Sequence, residues 1–246
     1  MLRRIADPLN PAWRPRHPDM KKILALLALG PLFGLGLFAA TADAELPPLQ
    51  NGDIVFQNTT NAAQQAIMLA SGTEYTHMGI VEIDKKGRAQ VIEAVGPVRV
   101  VPLDKWIGNG SGGRVTVKRV RDLDEGDAKQ ALERARYYLG RPYDHYFYEM
   151  RDQIYCSELV YAAFKEGPDI DVGTVERMGD LNIRTPAARK LIQQRWKSHP
   201  LCKAQGARTF DACYELILEQ TVVTPASIAR DPKLELVYSN FGFGAE

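Results

Sequence analysis

The sequence predicts an α+β domain with a mainly antiparallel sheet packed against helices. Three observations carry this expectation. Residues 73–103, TEYTHMGIVEIDKKGRAQVIEAVGPVRVVPL, are rich in β-branched residues and contain glycine turns, the pattern of successive short strands. Residues 124–139 and 156–166 repeat apolar side chains at helical spacing and end on Gly140 and on Gly167-Pro168, which stop helices. The order of elements is a short helix, several strands, then successive helices and a closing strand, which segregates the two kinds of structure.

At the N-terminus, residues 1–19 are polar and without periodicity, and Met20 opens MKKILALLALGPLFGLGLFAATADAE. This reads as a signal peptide. Lys21 and Lys22 form its positive start, residues 23–40 an uncharged apolar run, and Ala42-Asp43-Ala44 the small-x-small pattern for cleavage before Glu45. Met20 is the expected true start, and residues 1–44 are an extension plus signal that the mature protein lacks. Pro31 and several glycines interrupt the apolar run, which favours cleavage over a retained membrane anchor. Export to the periplasm or beyond leaves residues 45–246 as a single domain of 202 residues, long enough for a sizeable core. It holds 25 basic and 27 acidic side chains, a net charge of about −2, with no Lys/Arg cluster among aromatics, so nucleic acid is not an expected partner.

After Leu46-Pro47-Pro48, a turn at Asn51-Gly52 leads into a strand over 53–57, and Thr59, Thr60 and Asn61 cap a helix to about Leu69. Asp84-Lys85-Lys86-Gly87 then suits a type I turn with Gly87 in the left-handed position, which pairs Asp84 with Arg88. Counting back along both strands puts Val95 opposite His77 and Gly79 opposite Glu93. His77 and Glu93 therefore share one face as diagonal neighbours, about 7 to 8 Å apart at the backbone. A slip of one residue would send them to opposite faces. The rest of that face, Gly79, Val81, Ile83, Val91 and Val95, is apolar, so an ionisable pair on it is out of the ordinary.

A third strand over 98–102, a short helix or turn at 103–107, a glycine loop at 108–113 and a strand over 114–120 follow. Residues 124–139 form the clearest helix, with Ala128, Ala131, Leu132, Ala135 and Leu139 along one side. An aromatic stretch, 143–148, joins it to the helix that Cys156 opens. Beyond Pro168, Thr185-Pro186 opens a helix to about Lys197, Thr224-Pro225 opens a shorter one, and 234–238 reads as a last strand.

Of the three cysteines, Cys202 and Cys213 lie eleven apart in a glycine-containing segment, and in an oxidising compartment they pair as a local loop closure. Cys156 is the odd thiol. At the first turn of its helix, the dipole and the backbone N–H groups without intrahelical partners favour a thiolate. Glu158 opposes this unless it points away or caps the backbone, so the thiol needs a base. His77 is the candidate base, and Glu93 the carboxylate that would orient its ring. His145 and His199 compete, but neither has a carboxylate on a shared rigid face. Against this stand plainer alternatives: a small buried cysteine, a buried histidine satisfied by hydrogen bonds, and a structural glutamate. With no CxxC, HxxxH or HExxH spacing, neither a metal nor another cofactor is expected.

The segments NGDIVF, YTHMGIV, VIEAVG, LGRPYD, YCSELV and VVTPASIARDPKLELVY together resemble the NlpC-type papain-like cysteine hydrolases, over residues 49 to 240. His77 precedes Cys156, as in the circularly permuted branch. The resemblance implies a small antiparallel sheet packed on the cysteine helix, with Cys156 as nucleophile, His77 as base and Glu93 as the third polar residue. It also implies amide hydrolysis through a thioester acyl-enzyme. The backbone N–H of Cys156 is the expected oxyanion donor, and Tyr155, Tyr143 and Asp144 are candidate substrate-binding residues. Residues 169–213 match no motif of the family and carry the expected disulfide, so substrate choice is placed there. An exported member points to cell-wall peptide stems as substrate. An acyl-lipid or N-acyl amide is the alternative, because the branch also resembles lipid-handling acyltransferases, and a non-catalytic exported binding module is a third reading.

Overall fold

A computed structural model describes residues 46–59, 70–148 and 152–242. The expected signal peptide, its cleavage site and the helix expected to run to about Leu69 lie outside the described residues.

Six strands form one antiparallel sheet: β1 (Ile54–Gln57), β2 (His77–Ile83), β3 (Ala89–Glu93), β4 (Arg99–Pro102), β5 (Thr116–Val120) and, last in the chain, β8 (Leu234–Ser239). Their spatial order is β4-β3-β2-β1-β5-β8. The β2–β3 hairpin turns where the sequence places it. Asp84 and Arg88 are joined by a 2.9 Å backbone hydrogen bond, and Gly87 takes the left-handed conformation at φ 76°. The ladder runs from Ile83 opposite Ala89 to Ile80 opposite Ile92, the register that the turn dictates. The strand expected over 98–102 starts one residue later, because Val98 spends its N–H on the Arg141 carbonyl and its own carbonyl accepts from Gly140.

Alternation along the strands divides the core in two. Ile54, Phe56, Met78, Ile80 and Ile92 pack under the helices, and Val55, Val81, Val91 and Val117 pack with Trp106 on the other face. Trp106 belongs to α1 (Leu103–Gly108), which follows β4 directly. On the first face, α2 (Glu125–Tyr137) starts at Asp124, whose side chain accepts the Asp127 N–H at 2.8 Å, and packs against α3 (Cys156–Glu166). Gly167 ends α3 at a close crossing of the two helices. A Cβ there would stand 2.6 Å from the Ala163 carbonyl oxygen and 2.8 Å from that of Gln130.

The segment without a motif is a layer of its own. A short ribbon pairs β6 (Val175–Arg177) with β7 (Thr221–Val223), and three helices lie between them: α4 (Pro186–Arg195), α5 (Pro200–Ala204) and α6 (Phe210–Glu219). The Thr185 hydroxyl caps α4. That helix stops short of Lys197 because Trp196–Ser198 tighten into a 3₁₀ turn and His199, ahead of Pro200, is extended. Cys202 and Cys213 are bonded to each other, with Cα atoms 5.1 Å apart, and clamp α5 to α6. Ile183, Ala188, Tyr214 and Leu218 form a small core inside the layer. The helix expected from Thr224-Pro225 is α7 (Pro225–Ala229).

Candidate active site

Cys156 opens α3, and the residues on either side of it fasten that end to β7. The Val223 N–H donates to the Tyr155 hydroxyl at 3.1 Å, and the Ser157 hydroxyl donates to the Val223 carbonyl at 2.8 Å. Glu158 resolves its own conflict with the thiol by accepting the Tyr155 N–H at 3.3 Å, so its carboxylate caps the backbone. The helix start is thus held without a negative charge aimed at the sulfur.

His77 is the first residue of β2 and Glu93 the last of β3. Their diagonal placement becomes a direct contact, with His77 Nε2 and Glu93 Oε2 2.6 Å apart. Gly79 leaves room for it. A Cβ at Gly79 would come within 2.5 Å of the Val91 side chain and 2.7 Å of the Ile92 carbonyl oxygen. The other Glu93 oxygen accepts from Arg99 Nε at 2.9 Å and lies 2.8 Å from Arg99 Nη2. Trp106, fully buried, lies beside the imidazole with ring centroids 5.9 Å apart and 31° between the planes.

The imidazole also interacts with the Cys156 sulfur, and each favours the charged form of the other. Cys156, His77 and Glu93 are 4%, 3% and 2% exposed, so these interactions are screened very little. Burial pushes the His77 pKa down, but its hydrogen bonds to the Cys156 sulfur and the Glu93 carboxylate outweigh that and raise it to about 9. Burial likewise opposes ionisation of Cys156, yet the His77 hydrogen bond and charge, with the backbone N–H groups of Met78 and Ser157, bring it below the ordinary thiol value. For Glu93, burial again favours the neutral form, and His77 and Arg99 reverse it to give a depressed pKa. The arrangement favours a thiolate–imidazolium pair backed by a carboxylate and a guanidinium.

Of the candidate pocket residues, Tyr143 lines the cavity beside Cys156. Burial foremost, with the neighbouring Cys156, holds the Tyr143 pKa well above its ordinary value, so its hydroxyl stays protonated. Asp144 and Tyr155 are not on the cavity wall, and their polar atoms serve the backbone. Asp144 accepts the N–H groups of Tyr146 and Tyr148 at 2.7 and 2.6 Å, and Tyr155 accepts that of Val223. Within this loop Phe147 holds a left-handed conformation, φ 52°, its carbonyl bonded to the Gln220 amide. His145 and His199 also reach the cavity wall. Sequence reasoning missed Arg99 and Trp106. Arg99 sits directly opposite Glu93 in the β3–β4 ladder, across a second turn around Gly96 whose length and type the local residues leave open. Trp106 offered no sequence signal beyond an aromatic in a short helix.

Sheet, cysteine helix and histidine strand define a papain-like fold in which the histidine strand comes before the cysteine helix in the chain. A sequence profile described as "Permuted papain-like amidase enzyme, YaeF/YiiX, C92 family" matches residues 48–238, and the chain belongs to this family. It is 32% identical over 189 residues to the uncharacterized protein YiiX of Escherichia coli strain K12, covering 76% of this chain and 85% of that one. The crystal structure of YiiX from Escherichia coli O157:H7, described as a metalloprotein, is similar with a TM-score of 0.70 and 29% identity, over 80% of this chain and all of the other.

Proposed function

We propose that this protein is an exported thiol amidase in which Cys156 is the nucleophile, His77 the acid and base, and Glu93 the residue that orients His77. The observation that supports this most directly is the unbroken chain of contacts from Arg99 through Glu93 and His77 to Cys156. In the first step the Cys156 sulfur forms a bond to the amide carbonyl carbon and the C–N bond breaks. The His77 imidazolium gives its proton to the departing amine. In the second, water loses a proton to His77 and attacks the thioester, which releases a carboxylic acid and returns the sulfur to a thiolate. The negative oxygen formed in both steps is met by the Cys156 N–H at the helix start.

A metal ion finds no ligand set at this site. Among the described residues no group of three or more His, Cys, Asp or Glu side chains is placed to hold a metal ion, and His77 Nε2 is already turned to Glu93. The steps above are those of the side chains alone.

Export would place the enzyme in the periplasm or outside the cell, within reach of cell-wall peptide stems. The second substrate class, an acyl-lipid or N-acyl amide, is favoured by the apolar wall of the cavity next to Cys156. The mechanism is tested by iodoacetamide alkylation of Cys156 against pH in the mature, non-reduced protein and in His77→Ala. Fast alkylation well below the ordinary thiol pKa of about 8.5, lost with His77, is the expected result. An inert Cys156, or reactivity indifferent to His77, would replace the enzyme with a binding module.

A further inference from the structure

Residues 45–246 are almost balanced in charge, but the balance hides a division. Seven lysines and arginines, and no acidic residue, lie between Asp180 and Asp211, so the rest of these residues hold 18 basic side chains against 27 acidic. All seven are exposed. Arg189 meets Asp211 at 2.9 Å, and the other six, Arg184, Lys190, Arg195, Lys197, Lys203 and Arg208, have no carboxylate partner among the described residues. Surfaces ordinarily intersperse the two signs, and like charges gathered on one layer repel each other. Here a small core and the Cys202–Cys213 bond hold them together against that repulsion. An anionic partner would relieve it.

The form of that partner follows from where the charges are carried. Along α4, Arg195 reaches the cavity wall, whereas Lys190, five residues back, lies about 140° away round the helix. Lys203 is carried by α5 and Arg208 by the loop before α6. Charges spread round a layer do not meet a flat bilayer together, while a flexible chain can follow them. The exposed large apolar side chains among the described residues, Val95, Tyr137, Leu139, Val175 and Leu236, all lie outside this stretch, so it presents none of them to lipid tails. Trp196 is half-buried against Cys202, Cys213 and Ile217, a poor platform for stacking a nucleobase. We propose that this layer is a docking surface for a flexible linear polyanion, held by its repeating charges. Docking of this kind fixes where the protein sits and is independent of what Cys156 cleaves.

The test measures binding of end-labelled polyphosphate and polyglutamate, matched in charge number, to the mature, non-reduced protein by fluorescence anisotropy. Both polymers should bind, with affinities within about threefold of each other, and affinity should fall about a hundredfold between about 50 and 200 mM salt through counterion release. Replacing Lys190, Lys197 and Lys203 together with glutamine should lower the slope of log affinity against log salt by about 2. Replacing Lys85, Lys86 and Lys129, which are equally exposed but lie outside the layer, removes the same charge and should leave the slope unchanged. Unaltered alkylation of Cys156 in both triple variants shows that they fold. No binding of either polymer by wild type, or equal losses in the two triple variants, would overturn the docking surface. Tighter binding to phosphatidylglycerol vesicles than to polyphosphate at equal phosphate would make the layer a membrane surface instead. Oligonucleotide binding that depends on base sequence would make it a nucleic-acid site, and either result replaces the polymer.

Discussion

At the scale of single residues, Glu93 bears the largest electrostatic demand. It is a carboxylate almost out of reach of water, kept ionised against its own desolvation by His77 on one oxygen and Arg99 on the other. Because its folded pKa is depressed, its contribution to stability is present above the ordinary carboxylate value and is lost as pH falls through the folded one. Arg99→Ala should therefore start acid unfolding at a higher pH, read as the urea midpoint against pH. It should also move the acidic limb of the kcat/KM profile upward, with Arg99→Lys restoring part of both shifts. His77 has the opposite sign. Its folded pKa is raised from 6.5 to about 9, so its contribution is full below 6.5 and fades as pH rises through about 9. His77→Ala should cost more stability below pH 6.5 than above about 9, and wild-type activity should fall above about 9 as the imidazolium is lost. The place of Cys156 at a helix start and the meeting of His77 with Glu93 were legible because a helix start and a turn of known type fix where side chains point. Arg99 was not, because its place opposite Glu93 depends on a second turn, around Gly96, whose length and type the local residues leave open.

At the scale of elements, the β2–β3 hairpin supplies both His77 and Glu93, and Gly79 lets its two strands carry them on one face. Gly79→Ala drives a methyl group into Val91 and the Ile92 carbonyl, at a cost of about 1–3 kcal/mol. The same variant should slow Cys156 alkylation, because the displaced strands separate His77 from Glu93. A stability loss with unchanged alkylation would show that the pair does not depend on this packing. Boundaries were less legible than the elements themselves. Val98 leaves the strand for a backbone partner more than forty residues away, and the α4 helix ends early at a turn set by Pro200. Neither effect is written in the local pattern.

At the scale of the whole molecule, the part least legible in the sequence is the layer between Pro168 and β7. Of its helices only α4, opened by Thr185-Pro186, is read from the sequence, and the layer is held by a small core and a disulfide. Reducing Cys202–Cys213, or replacing both residues with serine, should destabilise that layer by about 2–4 kcal/mol. Because α6 presents Ile217 to the cavity, the same change should weaken discrimination between amide substrates more than it lowers turnover of the smallest of them. Equal losses for all substrates would mean that the layer supports the fold and has no part in selection.

Val223 is held from both sides of Cys156, yet it is joined to the chain 66 residues beyond Ser157, and β8 must still follow it to complete the sheet. During synthesis, His77 and Cys156 therefore exist long before the residue that holds the helix start in place. A chain released before Val223 should carry a thiol that alkylates no faster than free cysteine, which a set of C-terminal truncations would reveal. The danger of a reactive sulfur in a half-made protein is met by the order of its parts: the thiol is expected to become reactive only after Val223 has been made.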